Sequence, residues 1–205
     1  GAYLTMARSF IQPGDYAGAR SVYDEAIAAC GPSADLFVNI GITYMKEGNV
    51  PQASGYFKKA IETDERNIPA RFYSRWPDAA LSERFVESLL EDSGLSAADL
   101  SQWAALYSSQ GHYGQAQKFL DTALKKDPAY FPASVARAAV LAAARQYDES
   151  IATYKALSRE FPEDSKIMTG EARTLAWSRQ YDESTQLYRR IIALNPRDPV
   201  PRREL

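Results

Sequence analysis

The sequence contains one cysteine, Cys30, and one histidine, His112. A single cysteine excludes an internal disulfide framework, and the pair cannot supply the ligands of a Cys/His metal site. An active site would therefore have to use carboxylates, lysines or hydroxyls. We expect Cys30, late in an apolar helical stripe, to be a packed or half-exposed structural thiol. We expect His112 to be a solvated turn residue.

The chain also lacks an excess of either charge and any long apolar run. Its 205 residues include 24 Lys and Arg against 26 Asp and Glu, which leaves a formal net charge of −2. This balance gives no basic footprint for nucleic acid, and no apolar run approaches the roughly 20 residues that span a bilayer. No phosphate-binding loop, HExxH or GxSxG motif is present. The sequence predicts no enzyme, no cofactor and no metal site.

What the sequence does contain is an internal repeat with a period of about 34 residues. The hexapeptide RQYDES occurs at 145–150 and again at 179–184. Other residues at this spacing include three prolines and three tyrosines: Pro128, Pro162 and Pro196, and Tyr113, Tyr147 and Tyr181. In the N-terminal part, Gly14, Ala19, Tyr23 and Ala26 are followed one period later by Gly48, Ala53, Phe57 and Ala60. A fixed period of this length indicates stacked structural units.

The pattern resembles the tetratricopeptide repeat, a helix–turn–helix unit of about 34 residues. In a unit beginning at Ala97, the eighth, eleventh, twentieth, twenty-seventh and thirty-second positions are Ala104, Tyr107, Ala116, Ala123 and Pro128. In the unit beginning at Ala34, the eighth, eleventh, twentieth and twenty-seventh positions are Gly41, Tyr44, Ala53 and Ala60. Small residues let two helices approach closely, the tyrosine fills the space between them, and the proline ends the second helix.

The resemblance implies an all-α fold, a right-handed α-α superhelix forming a single solenoid over 1–205. Its units are 2–33, 34–67, 68–96, 97–130, 131–164 and 165–198, and 199–205 begins a further, truncated unit. One unit would pair helices at Asp99–Gln110 and Gly114–Lys126. We expect Asp15, Asp148 and Asp182 to cap second helices. No useful stretch alternates with period two, so no sheet is expected.

The stretch 68–96 is a degenerate unit, shorter than each of the others. We expect its second helix between Pro77 and Gly94. Two explanations of the break stay open. Sequence drift shortened the first helix, or the break changes the curvature or forms a contact site with Phe72 and Trp76.

In the resembled family, a concave wall is built from the second, fifth, ninth, twelfth and thirteenth positions of the first helices. The residues that we expect to bind a partner lie at or beside these positions: Arg8, Asn39, Ile42, Lys46, Ser101, Ser108, Ala139, Lys166, Arg173 and Trp177. Pro132 and Val135 share the wall. A smooth, small-residue wall suits an extended or helical peptide. Two interpretations of Arg173 and Trp177 stay open. Both side chains anchor the ligand, or Arg173 is simply solvated and Trp177 packs on the next repeat.

Two departures from the family pattern are informative. The seventh position, normally large and apolar, is Arg137 in one unit and Glu171 in the next, which predicts an ion pair between adjacent first helices. A family subset that clamps a chaperone's C-terminal carboxylate uses lysine and asparagine where this chain has Leu4 and Arg8. Only Asn39 matches, so we do not expect chaperone-tail binding.

The resemblance implies a non-catalytic interaction scaffold that binds a protein or peptide of unknown identity. An alternative is the periplasmic repeat region of an outer-membrane exopolysaccharide export protein of the Pel, cellulose or poly-N-acetylglucosamine type. Such a region recruits polysaccharide-modifying enzymes or guides the polymer. The periplasm is the location that this resemblance favours, with the cytoplasm as the alternative. Exposed repeat ends would favour a dimer.

Overall fold

The computed structural model describes residues 2–76 and 83–194. Within them the chain forms twelve α-helices and no β-strand, which confirms the predicted all-α class of paired helices. The helices are α1 (Ala2–Ile11), α2 (Tyr16–Cys30), α3 (Ala34–Lys46), α4 (Val50–Thr63), α5 (Ile68–Tyr73), α6 (Glu83–Leu90), α7 (Ala97–Ser109), α8 (Tyr113–Lys126), α9 (Phe131–Ala143), α10 (Tyr147–Glu160), α11 (Ser165–Trp177) and α12 (Tyr181–Leu194). None of those helices combines the length and the apolar character that a bilayer crossing requires.

The turn between the two helices of a pair has one recurring conformation. Its central residue has a positive φ in five pairs: Gly14 (86°), Gly48 (78°), Gly111 (82°), Arg145 (64°) and Arg179 (66°). The next residue donates its backbone N–H to a carbonyl five residues earlier, as from Asn49 to Tyr44 at 2.9 Å. This is the geometry of a Schellman motif, which ends the first helix.

The turn fixes where each second helix begins. Asp15 caps α2 by accepting the N–H of Gly18 at 2.8 Å, as predicted. The predicted caps Asp148 and Asp182 are wrong, because both lie inside the first turns of α10 and α12. The residue at the cap of α10 is Gln146, whose side chain makes no capping hydrogen bond. The carboxylates still face the positive end of the helix dipole, which favours negative charge.

The chain divides into two compact units, Gly1–Glu87 and Ser88–Leu205, and each is described by itself. In Gly1–Glu87, each of the helices α1 to α5 packs on the next helix along the chain, and α3 also contacts α5. Ala53 is 2% exposed, as predicted for a helix crossing. A Cβ on Gly41 would lie 2.5 Å from the ring of Phe57, so the glycine permits this close crossing of α3 and α4.

Ser88–Leu205 has the same arrangement. Each helix from α7 to α12 packs on the next one, and the first helices α7, α9 and α11 also contact one another in that order. Ala116 and Tyr107 are fully buried, as predicted, and the Tyr107 and Phe119 rings stack at 5.2 Å. These contacts confirm that small and aromatic residues at the repeat positions lie between the two helices of a pair.

The degenerate stretch 68–96 contains a first helix of six residues, α5. Phe72 is fully buried with its ring 5.1 Å from that of Trp76, so it cannot belong to a contact site for a partner. The predicted start of the second helix at Pro77 lies outside the described residues, and the described helix ends at Leu90. The division between the compact units falls within this stretch. That all the repeats form one solenoid stays a prediction, and 199–205 lies outside the described residues.

Candidate functional site

An open groove lies against helix α9 in the unit Ser88–Leu205. It encloses about 480 Å³, and its lining is mainly apolar: Phe131, Pro132, Val135, Ala136, Ala139, Asp164 and Lys166. Pro132, Val135 and Ala139 follow a helical spacing of three and four residues, so they share one face of α9. Four of these residues occupy predicted wall positions. We call this feature the α9 groove.

Local packing fixes the aromatic end of the α9 groove. The Phe131 ring contacts that of Phe161 edge to face, with the ring centroids 4.5 Å apart. Pro132 lies in the first turn of α9, where its missing N–H costs no hydrogen bond. The first turn of this helix is therefore held in place while the side chains of Phe131 and Pro132 remain at least partly accessible.

The two charged residues of the α9 groove are in different electrostatic situations. The Asp164 carboxylate caps α11, accepting the N–H groups of Lys166 and Ile167 at 2.8 and 3.0 Å. Its negative charge therefore faces the positive end of a helix dipole. The Lys166 side chain is exposed. The positive charge of Lys166 is thus the charge that a ligand in the groove would meet in solvent.

Arg173 and Trp177 follow Lys166 along α11 at intervals that keep all three on one face of the helix. Arg173 is half-buried near Tyr154: burial raises the pKa of the Tyr154 hydroxyl, and the Arg173 charge lowers it by a smaller amount. Arg173 is therefore not simply solvated. The Trp177 side chain is 56% exposed. Whether either residue anchors a ligand stays a prediction.

The other predicted wall residues are also accessible. On α7, Ser101 and Ser108 are half-buried. In the unit Gly1–Glu87, Arg8 and Lys46 are exposed, and Asn39 and Ile42 are half-buried. The Asn39 amide donates to the carbonyl of Asp35 in its own helix at 2.7 Å.

Two positions that the family pattern assigns to the wall are buried. Val38 is 5% exposed and belongs to a core cluster with Ala60 and Ala70. Ala142 is 4% exposed. Neither can contact a partner, because packing against neighbouring side chains covers it.

The predicted ion pair between Arg137 and Glu171 is wrong. Arg137 pairs with Asp121 on α8, with Nε and Oδ1 2.8 Å apart. Glu171, only 8% exposed, accepts a hydrogen bond from the Ser158 hydroxyl on α10 at 2.9 Å. Seventh-position side chains therefore reach back to the preceding second helix instead of sideways to the next first helix.

The two residues considered for chemistry, His112 and Cys30, belong to different compact units. His112 is half-buried at the N-terminal end of α8, where we expected a solvated residue. Cys30 is exposed at the end of α2, so the expectation of a packed or half-exposed thiol is wrong. Within residues 2–76 and 83–194, no three His, Cys, Asp or Glu side chains are grouped as a metal site requires.

Two family models, both described as tetratricopeptide repeat, match residues 4–80 and 107–169, which together make up more than half of the chain. The chain belongs to the tetratricopeptide repeat family. No curated protein matches this repeat protein in sequence.

Solved structures of other tetratricopeptide repeat proteins share the fold. YrrB, a TPR protein with an unusual peptide-binding site, is 14% identical with a TM-score of 0.54, over 89% of this chain and 96% of YrrB. A tetratricopeptide repeat protein from Parabacteroides merdae is 18% identical with a TM-score of 0.52, over 94% of this chain and 78% of its own. At these identities the likeness concerns the fold alone.

Three residues that line the α9 groove of this repeat protein do not lie at the wall positions predicted from the repeat. Phe131 is the first residue of its unit, Ala136 precedes the seventh position, and Asp164 precedes the next unit. The sequence did carry a signal for one of them, because an Asp directly before a helix is a strong N-cap. Phe131 and Ala136 could be found only once the packing of α9 was known.

Proposed function

We propose that this protein is a non-catalytic interaction scaffold whose α9 groove binds a peptide segment of a partner protein. The observation that carries the proposal is the groove itself. It is open and mainly apolar, and four of its lining residues, among them Ala139 and Lys166, lie at positions predicted for a binding wall. Its volume of about 480 Å³ lies within the range of about 300–1,000 Å³ typical of ligand sites.

The arrangement of backbone and side chains supports a peptide as the ligand. Ala139 is exposed and small, so a second backbone can approach α9 closely. Val135 and Pro132 offer apolar contacts one and two turns away on the same face. A hydrophobic groove that receives the apolar side chains of a peptide is one of the recurring modes of peptide recognition. YrrB, which shares the fold, also has a peptide-binding site.

The test places a tryptophan side chain in the α9 groove and compares the peptide affinity with that of a variant carrying the same substitution outside the groove. Peptides selected from a phage-displayed random octapeptide library on the full chain are titrated by fluorescence anisotropy. Ala139→Trp should weaken their binding by roughly tenfold or more, because the indole occupies the volume of the ligand side chain. The matched control is Ala152→Trp, an exposed alanine of α10 that does not line the groove.

Circular dichroism of both variants establishes that the helices are intact. Unchanged affinity in Ala139→Trp would contradict the proposal, as would equal losses in the two variants. The export role, the periplasmic location and the dimer through repeat ends stay predictions, because no feature of the described residues bears on them.

A further inference from the structure

The charges around the α9 groove narrow the class of peptide that would bind there. Most of the lining is apolar, and the Asp164 carboxylate already accepts two backbone N–H groups at the start of α11. The Lys166 ammonium group is exposed to solvent at the same end. A ligand therefore meets an apolar floor, the half-buried Asp164 carboxylate already engaged by backbone N–H groups, and the exposed positive charge of Lys166.

The surrounding wall has the same sign of charge. Across the wall positions of the helices α7, α9 and α11, the only charged residues are Lys166 and Arg173. The positions on α7 and α9 hold Ala, Ser, Pro and Val. Complementarity of potential across an interface favours an acidic partner over a basic one.

We propose that the α9 groove selects a peptide in which an aliphatic residue is followed or preceded, within two positions, by Asp or Glu. The aliphatic side chain fills the space above Val135 and Ala139, and the carboxylate pairs with Lys166. The limit of two positions between the aliphatic and the acidic residue follows from the geometry of an extended peptide. Such a peptide advances about 3.3 Å per residue, so the Lys166 side chain can still reach a carboxylate two residues away. This inference rests on the proposed function, because it specifies the ligand of the same groove.

The pairing is expected to act mainly on selectivity. An exposed ion pair contributes little affinity, whereas a like charge placed opposite Lys166 is penalised and lowers the association rate. Changing the acidic residue of a bound peptide to lysine should therefore weaken binding by roughly three- to tenfold in low salt, and by less in high salt.

The test compares phage-displayed random octapeptides selected on the wild-type chain with those selected on Lys166→Glu. The wild type should enrich Leu, Ile, Val or Met together with Asp or Glu. Lys166→Glu should keep the aliphatic preference and enrich Lys or Arg in place of the acid. Glutamate in the first turn of α11 is favourable to the helix dipole, so the variant should fold.

The control is Lys125→Glu, which makes the same change of net charge in the last turn of α8, outside the groove. It should select the same peptides as the wild type. Equal charge preferences on wild type and Lys166→Glu would overturn this inference while leaving the proposed function intact. If Ala139→Trp also selects the wild-type peptides with unchanged affinity, the proposed function fails as well.

Discussion

At the scale of single residues, the repeated RQYDES segment has a structural explanation in its final serine. Ser150 and Ser184 are buried, and their hydroxyls donate to the carbonyls of Ala138 and Ala172, each at 2.8 Å. Other units place alanine at this position, as at Ala116. In the last two pairs the serine thus adds a hydrogen bond between second and first helix where a methyl group makes contact elsewhere.

Removing one of these hydroxyls should lower stability modestly. Ser150→Ala should reduce the free energy of unfolding by about 1 kcal/mol, because the buried hydrogen bond to Ala138 and a longer one shared with the Thr174 hydroxyl are lost and no cavity forms. Urea unfolding followed by circular dichroism measures the change. Ser150→Val is the companion variant: it should cost more, since one methyl group replaces the hydroxyl and a second overpacks the crossing. A neutral or stabilising Ser150→Ala would show that the hydrogen bond contributes nothing.

Tyr107 makes stability sensitive to alkaline pH. Burial raises the pKa of its hydroxyl from 10.0 to about 12. Because the neutral phenol is favoured in the folded state, its contribution is complete below pH 10 and is lost as the pH rises towards 12, by up to about 3 kcal/mol. Urea midpoints between pH 8 and pH 12 should therefore fall less steeply for Tyr107→Phe than for the wild type. Parallel curves would contradict this assignment.

At the scale of elements, the inter-helix turn holds a conformation that suits glycine better than arginine. Arg145 and Arg179 adopt positive φ at the turn position where Gly111 stands in an earlier pair. A residue with a side chain destabilises the folded state by about 1–2 kcal/mol when its φ is positive. Glycine avoids this strain, but it makes the unfolded chain more flexible and so costs entropy on folding.

Substituting glycine at the turn should therefore stabilise the protein. Arg145→Gly should raise the free energy of unfolding by roughly 0.5–1 kcal/mol, and Gly111→Ala should lower it by about 1 kcal/mol. Thermal and urea unfolding of both variants provide the measurement. A destabilised Arg145→Gly would contradict this account, because the relief of strain would then be smaller than the entropy that the unfolded chain gains and the contacts that the arginine loses.

Much of the element level could be predicted from the sequence, because packing repeats with the period. Ala53, Tyr107 and Ala116 lie between helices since only small or flat groups fit where two helices cross. The capping residues Asp148 and Asp182 were mispredicted for a physical reason. The left-handed turn, not the best capping side chain, decides where a second helix begins, and it places Gln146 at that point.

The candidate site was less predictable than the fold. The wall positions of α9 followed from the repeat frame, and Pro132, Val135 and Ala139 line one groove. The direction of the seventh-position side chains could not be predicted from the repeat, because it depends on which neighbouring helix carries a polar partner. Arg137 finds Asp121 and Glu171 finds Ser158, contacts that the repeat period does not encode.

At the scale of the whole molecule, local packing predicts local instability. In repeat proteins each unit contacts mainly its neighbours, so damage at one helix pair spreads little beyond the next. The two compact units of this chain offer a direct way to observe this. Gly41 lies in one of them, and α9 to α12 lie in the other.

Gly41→Ala should weaken hydrogen-exchange protection in α3 and α4 while leaving that of α9 to α12 nearly unchanged, because the new methyl group displaces the buried ring of Phe57. Mass spectrometry of exchanged peptides measures both regions in one experiment. The control is Gly55→Ala, where an added Cβ meets no atom within 4 Å and should stabilise α4 by up to about 1 kcal/mol. Uniform loss of protection along the chain would show that it unfolds as one cooperative body.

The exposed thiol at the end of α2 has a practical consequence. Since Cys30 is the chain's one cysteine and lies in the compact unit that does not contain the α9 groove, a maleimide reagent should couple to the unaltered sequence at a single, known atom. A sensor surface or a fluorophore attached there leaves every groove side chain chemically untouched. Affinities measured on such a surface would then refer to one uniform orientation of the protein.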